Sequence, residues 1–323
     1  MKYPYSLISC LLCLLFLFFL FPETCFQGAY SGIYLWLNTI IPSLFPFLVV
    51  SNLMIQLKLL PYLTRIIAPF FQVFFRISKE STYPVLIGFL SGYPMGAKAC
   101  ADLVKEKQIS VQEGQYLLSF VNNASPMFIT SFLSIQCLNA PSLKYILYGI
   151  VLGSGITGGF VFRFFTNFSK KTTVIPKEIS SKNSFSKMHP SSRVSCSFSE
   201  VLDNCIMNAF FVMCKIGGYI ILFSIASTFL LLLPNSLGSL RILLIGTTEI
   251  TTGISCLCQK DFSFETKIVL TLIMTAFGGL SSIFQTQSVI AGSGLSIKTY
   301  TFTKLLQTFF AFLFSILLFI IIR

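Results

Sequence analysis

The chain is 323 residues long, 54% hydrophobic and 15% aromatic, with only 11% charged residues and a formal net charge of +12. An ordinary soluble domain is about 25% charged, so this chain lacks the polar surface to face water, and a soluble globular protein is excluded. The basic excess does not point to nucleic acid, because the lysines and arginines cluster in short stretches between apolar runs, as in the cytoplasmic loops of membrane proteins.

Uncharged runs recur along the chain: Tyr3–Pro22, Thr24–Leu57, Ser81–Ala97, Gly114–Leu143, Tyr145–Phe162, Ile216–Leu240, Ile268–Ile297 and Leu305–Ile322. A helix needs roughly 20 apolar residues to cross the hydrocarbon, and most of these runs reach or approach that length. A β-barrel would alternate apolar and polar residues, whereas here they are contiguous. The fold class read from this is an all-α polytopic membrane protein, its lipid bilayer the first partner.

In chain order, residues 1–27 form an N-terminal transmembrane helix. Lys2 precedes an apolar core, but no small-x-small cleavage site follows, so the segment reads as retained rather than as a cleaved signal. Residues 28–166 form a first helical unit. Within it, Pro61–Ile77 alternates aromatics with two arginines and reads as a helix on the inner membrane surface, bent at Pro69. Gly149, Gly153, Gly155 and Gly159 on one span suit close helix packing. Residues 167–200, rich in Ser and Lys, read as a flexible basic cytoplasmic linker, and 201–323 form a second helical unit. The basic groups Lys58–Lys79, Lys98–Lys107 and Arg163–Arg193 all fall inside, with the N-terminus, only if the stretch Gly88–Lys98 re-enters instead of crossing. The two halves then run in opposite directions, the plan of an inverted repeat.

Four segments should not be there in a simple spanning helix: Ser91-Gly92-Tyr93-Pro94-Met95-Gly96, Asn122-Asn123-Ala124-Ser125-Pro126, Thr247-Thr248-Glu249-Ile250-Thr251-Thr252-Gly253, and Gly278-Gly279-Leu280-Ser281-Ser282 with Gln285 beyond. In a helix interior glycine costs about 1 kcal/mol and proline about 3. Broken backbone survives at membrane depth only where protein or a polar cavity satisfies it. Paired breaks in two halves point to a mid-membrane binding site. The candidate substrate-binding residues are therefore Ser91, Gly92, Tyr93, Pro94, Asn122, Asn123, Ser125, Thr248, Glu249, Thr251, Thr252, Gly278, Gly279, Ser281 and Gln285. Glu249 is the sharpest, as the one acid well inside an apolar stretch. It is read either as a ligand acceptor or coupling site, or as an acid near the interface in a segment that does not fully cross, or as a structural partner of Arg241 or Lys215. Lys215 itself reads as snorkelling to the inner surface.

No metal site or cofactor is expected. His189 is the sole histidine, the ten cysteines lie mostly singly in apolar runs, and Cys256-Leu257-Cys258 has no matching pair for zinc. Asn167-Phe168-Ser169 fits a glycosylation acceptor but falls on the inner side. An intramembrane enzyme lacks its residues: no His-Glu-x-x-His and no paired aspartates, and a Ser91/Lys98 dyad would straddle a proline.

The motifs "PSLFPF" (Pro42–Phe47), "GFLSGYPMGAK" (Gly88–Lys98), "SFVNNASPMFI" (Ser119–Ile129), "KIGGYIILFS" (Lys215–Ser224), "TEITTG" (Thr248–Gly253) and "GGLSSIFQTQ" (Gly278–Gln287) together resemble the YlbJ family of sporulation integral membrane proteins. That family belongs to the wider nucleoside-recognition Gate proteins, distantly like the membrane domains of FeoB iron transporters and nucleoside carriers. The family's usual histidine-bearing "GGLSxHxQ" reads Gly-Gly-Leu-Ser-Ser-Ile-Phe-Gln here, with Ile283 or Phe284 in place of the histidine. The resemblance implies a spore-forming bacterium, the cytoplasmic (inner) membrane and a part in spore formation, without naming a substrate. Two roles stay open: a transporter-like or gating protein for a small polar solute, nucleosides among the options, and a non-transporting component of spore cortex or coat assembly. Partners beyond lipid and solute, whether a second copy or sporulation membrane proteins, stay open too.

Overall fold

The computed structural model describes residues 5–57, 59–165, 197–234 and 237–322, and every regular element among them is a helix. The linker up to residue 196 lies outside the described residues, and with it Lys58, His189, Asn167-Phe168-Ser169 and the basic residues Lys170–Arg193. After the linker, Ser197 caps a helix from Phe198: its Oγ accepts from the Glu200 N–H while the Glu200 carboxylate accepts from the Ser197 N–H.

The helices are α1 (Tyr5–Leu20), α2 (Pro22–Leu35), α3 (Ile41–Gln56), α4 (Leu60–Phe75), α5 (Thr82–Ser91), α6 (Met95–Lys105), α7 (Val111–Val121), α8 (Lys144–Phe165), α9 (Phe198–Leu231), α10 (Gly238–Thr248), α11 (Ile250–Cys258), α12 (Phe264–Phe277), α13 (Gly279–Ile290) and α14 (Ile297–Ile322). A π-helical turn, Trp36–Ile40, joins α2 to α3, and a π-helical segment, Phe128–Cys137, follows α7. Among the described residues, four helical segments are long and apolar enough to cross a bilayer: Pro141–Phe164, Phe198–Leu231, Phe264–Ile290 and Ile297–Ile320. A fifth span results if Pro22–Ile40 and Leu44–Met54, bent by 55°, count as one. The protein is an all-α polytopic membrane protein.

Two pairs of short helices do not run through. With 10 and 11 residues, α5 and α6 are each only ~15–16 Å long, half the ~30 Å of hydrocarbon. The same holds for α10 and α11, with 11 and 9 residues. Each pair folds back on itself. A Cβ on Gly253 would collide with the Gly246 Cα, and one on Gly96 would lie 2.9 Å from the Gly88 Cα. Residues seven or eight apart along one straight helix would be separated by more than 10 Å, so the contacts require hairpins.

The hairpins open toward opposite ends of the molecule. Ser78 N–H and Ser81 Oγ, before α5, both donate to the Glu113 carboxylate (2.6 Å each) at the start of α7, the helix into which α6 leads. The loop before α14 joins that end, since Gln115 and Ser296 exchange two hydrogen bonds (3.3 and 2.7 Å). At the other end, the Arg241 guanidinium on α10 donates to the Leu231 and Leu233 carbonyls closing α9 (3.3 and 3.0 Å), and the Cys258 thiol ending α11 meets Cys137 at the end of the π-helical segment. One apolar core, including Phe132, Leu133, Leu147, Met213, Ile254 and Leu272, surrounds the α10–α11 hairpin. A second, including Phe75, Val85, Cys100, Leu117, Phe120 and Tyr300, surrounds α5–α6.

Of the four glycines singled out on α8, Gly155 and Gly159 serve close packing: a Cβ there would meet the Asn123 amide at 2.9 Å and the Phe120 side chain at 3.0 Å. The other pair does not, because Gly149 has nothing within 4 Å and Gly153 only the Phe314 ring at 3.7 Å. Helix α4 contains Pro69, as the sequence indicated, and carries an exposed apolar row of Tyr62, Ile66, Phe70 and Val73 opposite the buried Ala68 and Phe75.

Candidate functional site

The helix breaks fall where the sequence placed its disruptive residues, and each has a backbone cause. Gly92 ends α5 at φ 72°, ψ −162°, a conformation closed to other residues. Its missing Cβ also lets Ser125 approach: an added one would lie 2.6 Å from the Ser125 nitrogen. Asn122 leaves the helical region at φ −103°, ψ 72° ahead of Pro126, Glu249 is extended at φ −142°, ψ 117°, and Gly278 and Gly279 are left-handed at φ 85° and 73°.

The breaks meet. The Tyr93 N–H donates to the Asn123 carbonyl (2.7 Å), tying the tip of the α5–α6 hairpin to the gap after α7. Asn122 is a three-way joint: its Oδ1 accepts from the Ala97 N–H at the start of α6 (3.3 Å), while its Nδ2 donates to Thr286 Oγ1 on α13 and to the Tyr300 hydroxyl on α14 (2.9 Å each). Asn123 Nδ2 donates to the Phe120 carbonyl (2.7 Å), and Ser125 Oγ accepts from the Phe128 N–H (3.1 Å), which satisfies two groups freed by the break.

Beside this joint, the tip of the α10–α11 hairpin faces a small cavity, with about 30 Å³ open to the centre of a water-sized sphere. Tyr93, Glu249, Thr251, Gly278, Ser281, Ser282 and Gln285 supply its polar side. Ile40, Leu44, Phe128, Ile216, Ile220 and Ile250 supply the apolar side. The space suffices for about two waters, since one needs roughly 10–15 Å³ by this measure. Glu249 is 2% exposed, and Oε2 accepts from the Thr252 N–H (2.7 Å), capping α11. Neither cation considered as its partner is one: Arg241 is spent on the end of α9, and Lys215 is exposed on α9.

Of the candidate residues, Tyr93, Glu249, Thr251, Gly278, Ser281 and Gln285 therefore share the cavity. Asn122, Asn123 and Ser125 hold the framework behind it, and Ser91, Gly92 and Pro94 shape the hairpin tip. Thr252 reaches Ser224 Oγ on α9 (3.2 Å) and Gly279 packs on Ile250. Thr248 turns back to the Leu244 carbonyl of its own helix (2.9 Å) and stays out of the cavity, because a threonine four residues on can satisfy that carbonyl locally.

The sequence reading missed a lysine. Lys304 on α14 is 2% exposed, and its Nζ donates to Asn123 Oδ1 (3.1 Å) and Gln307 Oε1 (2.8 Å). The signal that could have found it is a lysine followed by glutamine one turn on, inside a 26-residue apolar helix. At the family's histidine position, Ile283 is buried and Phe284 is half-exposed against Phe223. Among the described residues, no three His, Cys, Asp or Glu side chains gather as a metal group.

No protein-family model matches the chain, and no solved structure does. Among curated proteins it is similar to the sporulation integral membrane protein YlbJ of Bacillus subtilis (strain 168). The two are 26% identical over 321 residues, covering 92% of this chain and 78% of that one. At 92% coverage of this chain, the aligned stretch includes all the broken helices just described.

Proposed function

We propose that the protein is a multi-pass membrane protein of spore formation that binds and passes, or gates, a small polar solute, with its two helical units acting as inverted halves. The observation that carries this reading is the meeting of two opposed hairpin tips at a polar cavity containing a buried carboxylate. Half-helices that end at one another in this way leave N–H and carbonyl groups free for a ligand, and a buried acid in a membrane segment is expensive enough to imply use. The apolar wall of Ile216, Ile220 and Phe128 suits the face of a nucleoside-like ring once the tips separate.

Small as it is, the cavity also gives a second reading its support. A solute of nucleoside size does not fit into about 30 Å³, and Asn122 and Asn123 already have protein partners. In that reading the broken helices are inherited architecture and the protein is a non-transporting part of cortex or coat assembly.

Purified protein in detergent, melted against a panel of nucleosides and other small polar metabolites, separates the two. Transport predicts that at least one compound raises the melting temperature of the wild type, and that Glu249→Gln and Asn122→Ala both abolish the rise. No stabilisation across the panel favours assembly.

A further inference from the structure

Glu249 and Gln285 pose an unsolved electrostatic problem. The Glu249 carboxylate is 2% exposed, and the groups that reach it are the amides and hydroxyls of Thr251 and Thr252, none of them charged. Gln285 is 4% exposed on the same cavity, its Nε2 is held by Ser281 Oγ (3.2 Å), and its Oε1 has no hydrogen-bond partner. The Ser282 hydroxyl donates to the Gly279 carbonyl (3.1 Å), so its lone pairs remain available. An orphaned buried acceptor costs free energy, and a buried carboxylate without a counter-charge costs far more. One cavity thus collects oxygen acceptors around a single buried carboxyl group, and no cationic side chain lines it.

We propose that this cavity is a binding site for one small monovalent cation of the sodium class, held by Glu249, Gln285 Oε1 and the Ser281 and Ser282 hydroxyls. Carboxylate, carbonyl and hydroxyl oxygens are hard ligands and suit hard cations. One carboxylate neutralises a single positive charge, whereas a divalent ion would leave one uncompensated in an apolar surround. The volume, about 30 Å³, accepts an ion with one water and no larger solute. Because the ligands come from the α10–α11 tip and from α13, the ion ties the hairpin tip to the Gly278-Gly279 break. The proposal deepens the solute-handling reading and rests on it for its purpose: the cation is the coupling ion.

The test is melting of the full chain in detergent, with NaCl titrated against choline chloride at constant ionic strength, and binding of radioactive sodium to the wild type. Sodium is expected to raise the melting temperature in a saturable way, with potassium weaker. Gln285→Ala is expected to weaken the apparent affinity roughly ten-fold or more, the effect of losing one buried polar partner, and Glu249→Gln to abolish it. Should Glu249→Gln fail to fold, Gln285→Ala and Ser281→Ala carry the test with the radioactive assay. Equal melting in sodium and choline, or a sodium response unchanged in these variants, overturns the site. A response to pH in place of sodium assigns the position to a proton and overturns it as well. Sodium binding without any solute response would sink the solute reading alone; a solute response indifferent to sodium would sink the ion alone.

Discussion

At the residue scale, Lys304 and Glu249 show how one charge type can be legible and another hidden. Glu249 stands out in the sequence because an acid has no short route from mid-membrane to water. Lys304 precedes the uncharged run Leu305–Ile322 and reads there like a lysine whose long stem snorkels. Only tertiary packing turns it inward, under Asn123 and Gln307. Neither amide can flip to do without it, because Asn123 Nδ2 is committed to the Phe120 carbonyl and Gln307 Nε2 to the Val151 carbonyl (3.2 Å). Lys304→Met would relieve the cost of burying an ammonium but strand two acceptors, at about 1–3 kcal/mol each. Removing one member of a buried polar set outweighs that relief, so the variant is expected to lose about 2 kcal/mol, read as a lower melting temperature in detergent. A rise would show that desolvation of the ammonium dominates.

At the element scale, hairpins α5–α6 and α10–α11 are built by glycines that let backbones touch. The positions of the breaks were readable, since Gly92, Pro126, Glu249 and Gly278-Gly279 each disfavour continued helix on local grounds. That the limbs double back was readable for α5–α6 alone, through the positive charges on both its flanks. The flanks of α10–α11, Arg241 and Lys260, carry too little charge bias to set direction. Nor could spacing separate the glycines of α8 that pack from those that do not, because the neighbour on each face comes from distant helices. These contacts fix two contrasting outcomes. Gly253→Ala drives a methyl into the Gly246 backbone, which no rotamer change relieves, and should cost about 3 kcal/mol or more, at the upper end for overpacking. Gly149→Ala has nothing within 4 Å and replaces a poor helix former, so it should stabilise by up to about 1 kcal/mol. Melting temperatures of the two variants, prepared in parallel, check both.

At the scale of the whole molecule, the opposed hairpins dictate which loops share a side. We propose a topology that starts with the N-terminus inside: α1 and the bent α2–α3 pair would return the chain to the inner face, and α5–α6 would enter and leave there. In that topology the stretch from α7 through the π-helical segment would carry the chain out, α8 would bring it back before residue 166, and α9 would take it out again. Because α10–α11 folds back at Gly246 and Gly253, both its flanks share a side, the outer one in this topology, and α12–α13, interrupted only at Gly278-Gly279, would return inward. The paired hydrogen bonds between Gln115 and Ser296 agree with this independently, since they hold the loop before α14 on the same side as the start of α7. Single cysteines near Lys260 and Lys298, in a background without native cysteines, should therefore label from opposite faces in sealed vesicles: the Lys260 position from outside, the Lys298 position from inside, together with one near Lys107. Labelling of the Lys260 and Lys298 positions from the same face would mean that α12–α13 does not span. The two hairpin tips would then not meet at mid-membrane depth, and the buried carboxylate would belong to an interfacial structure with nothing to carry.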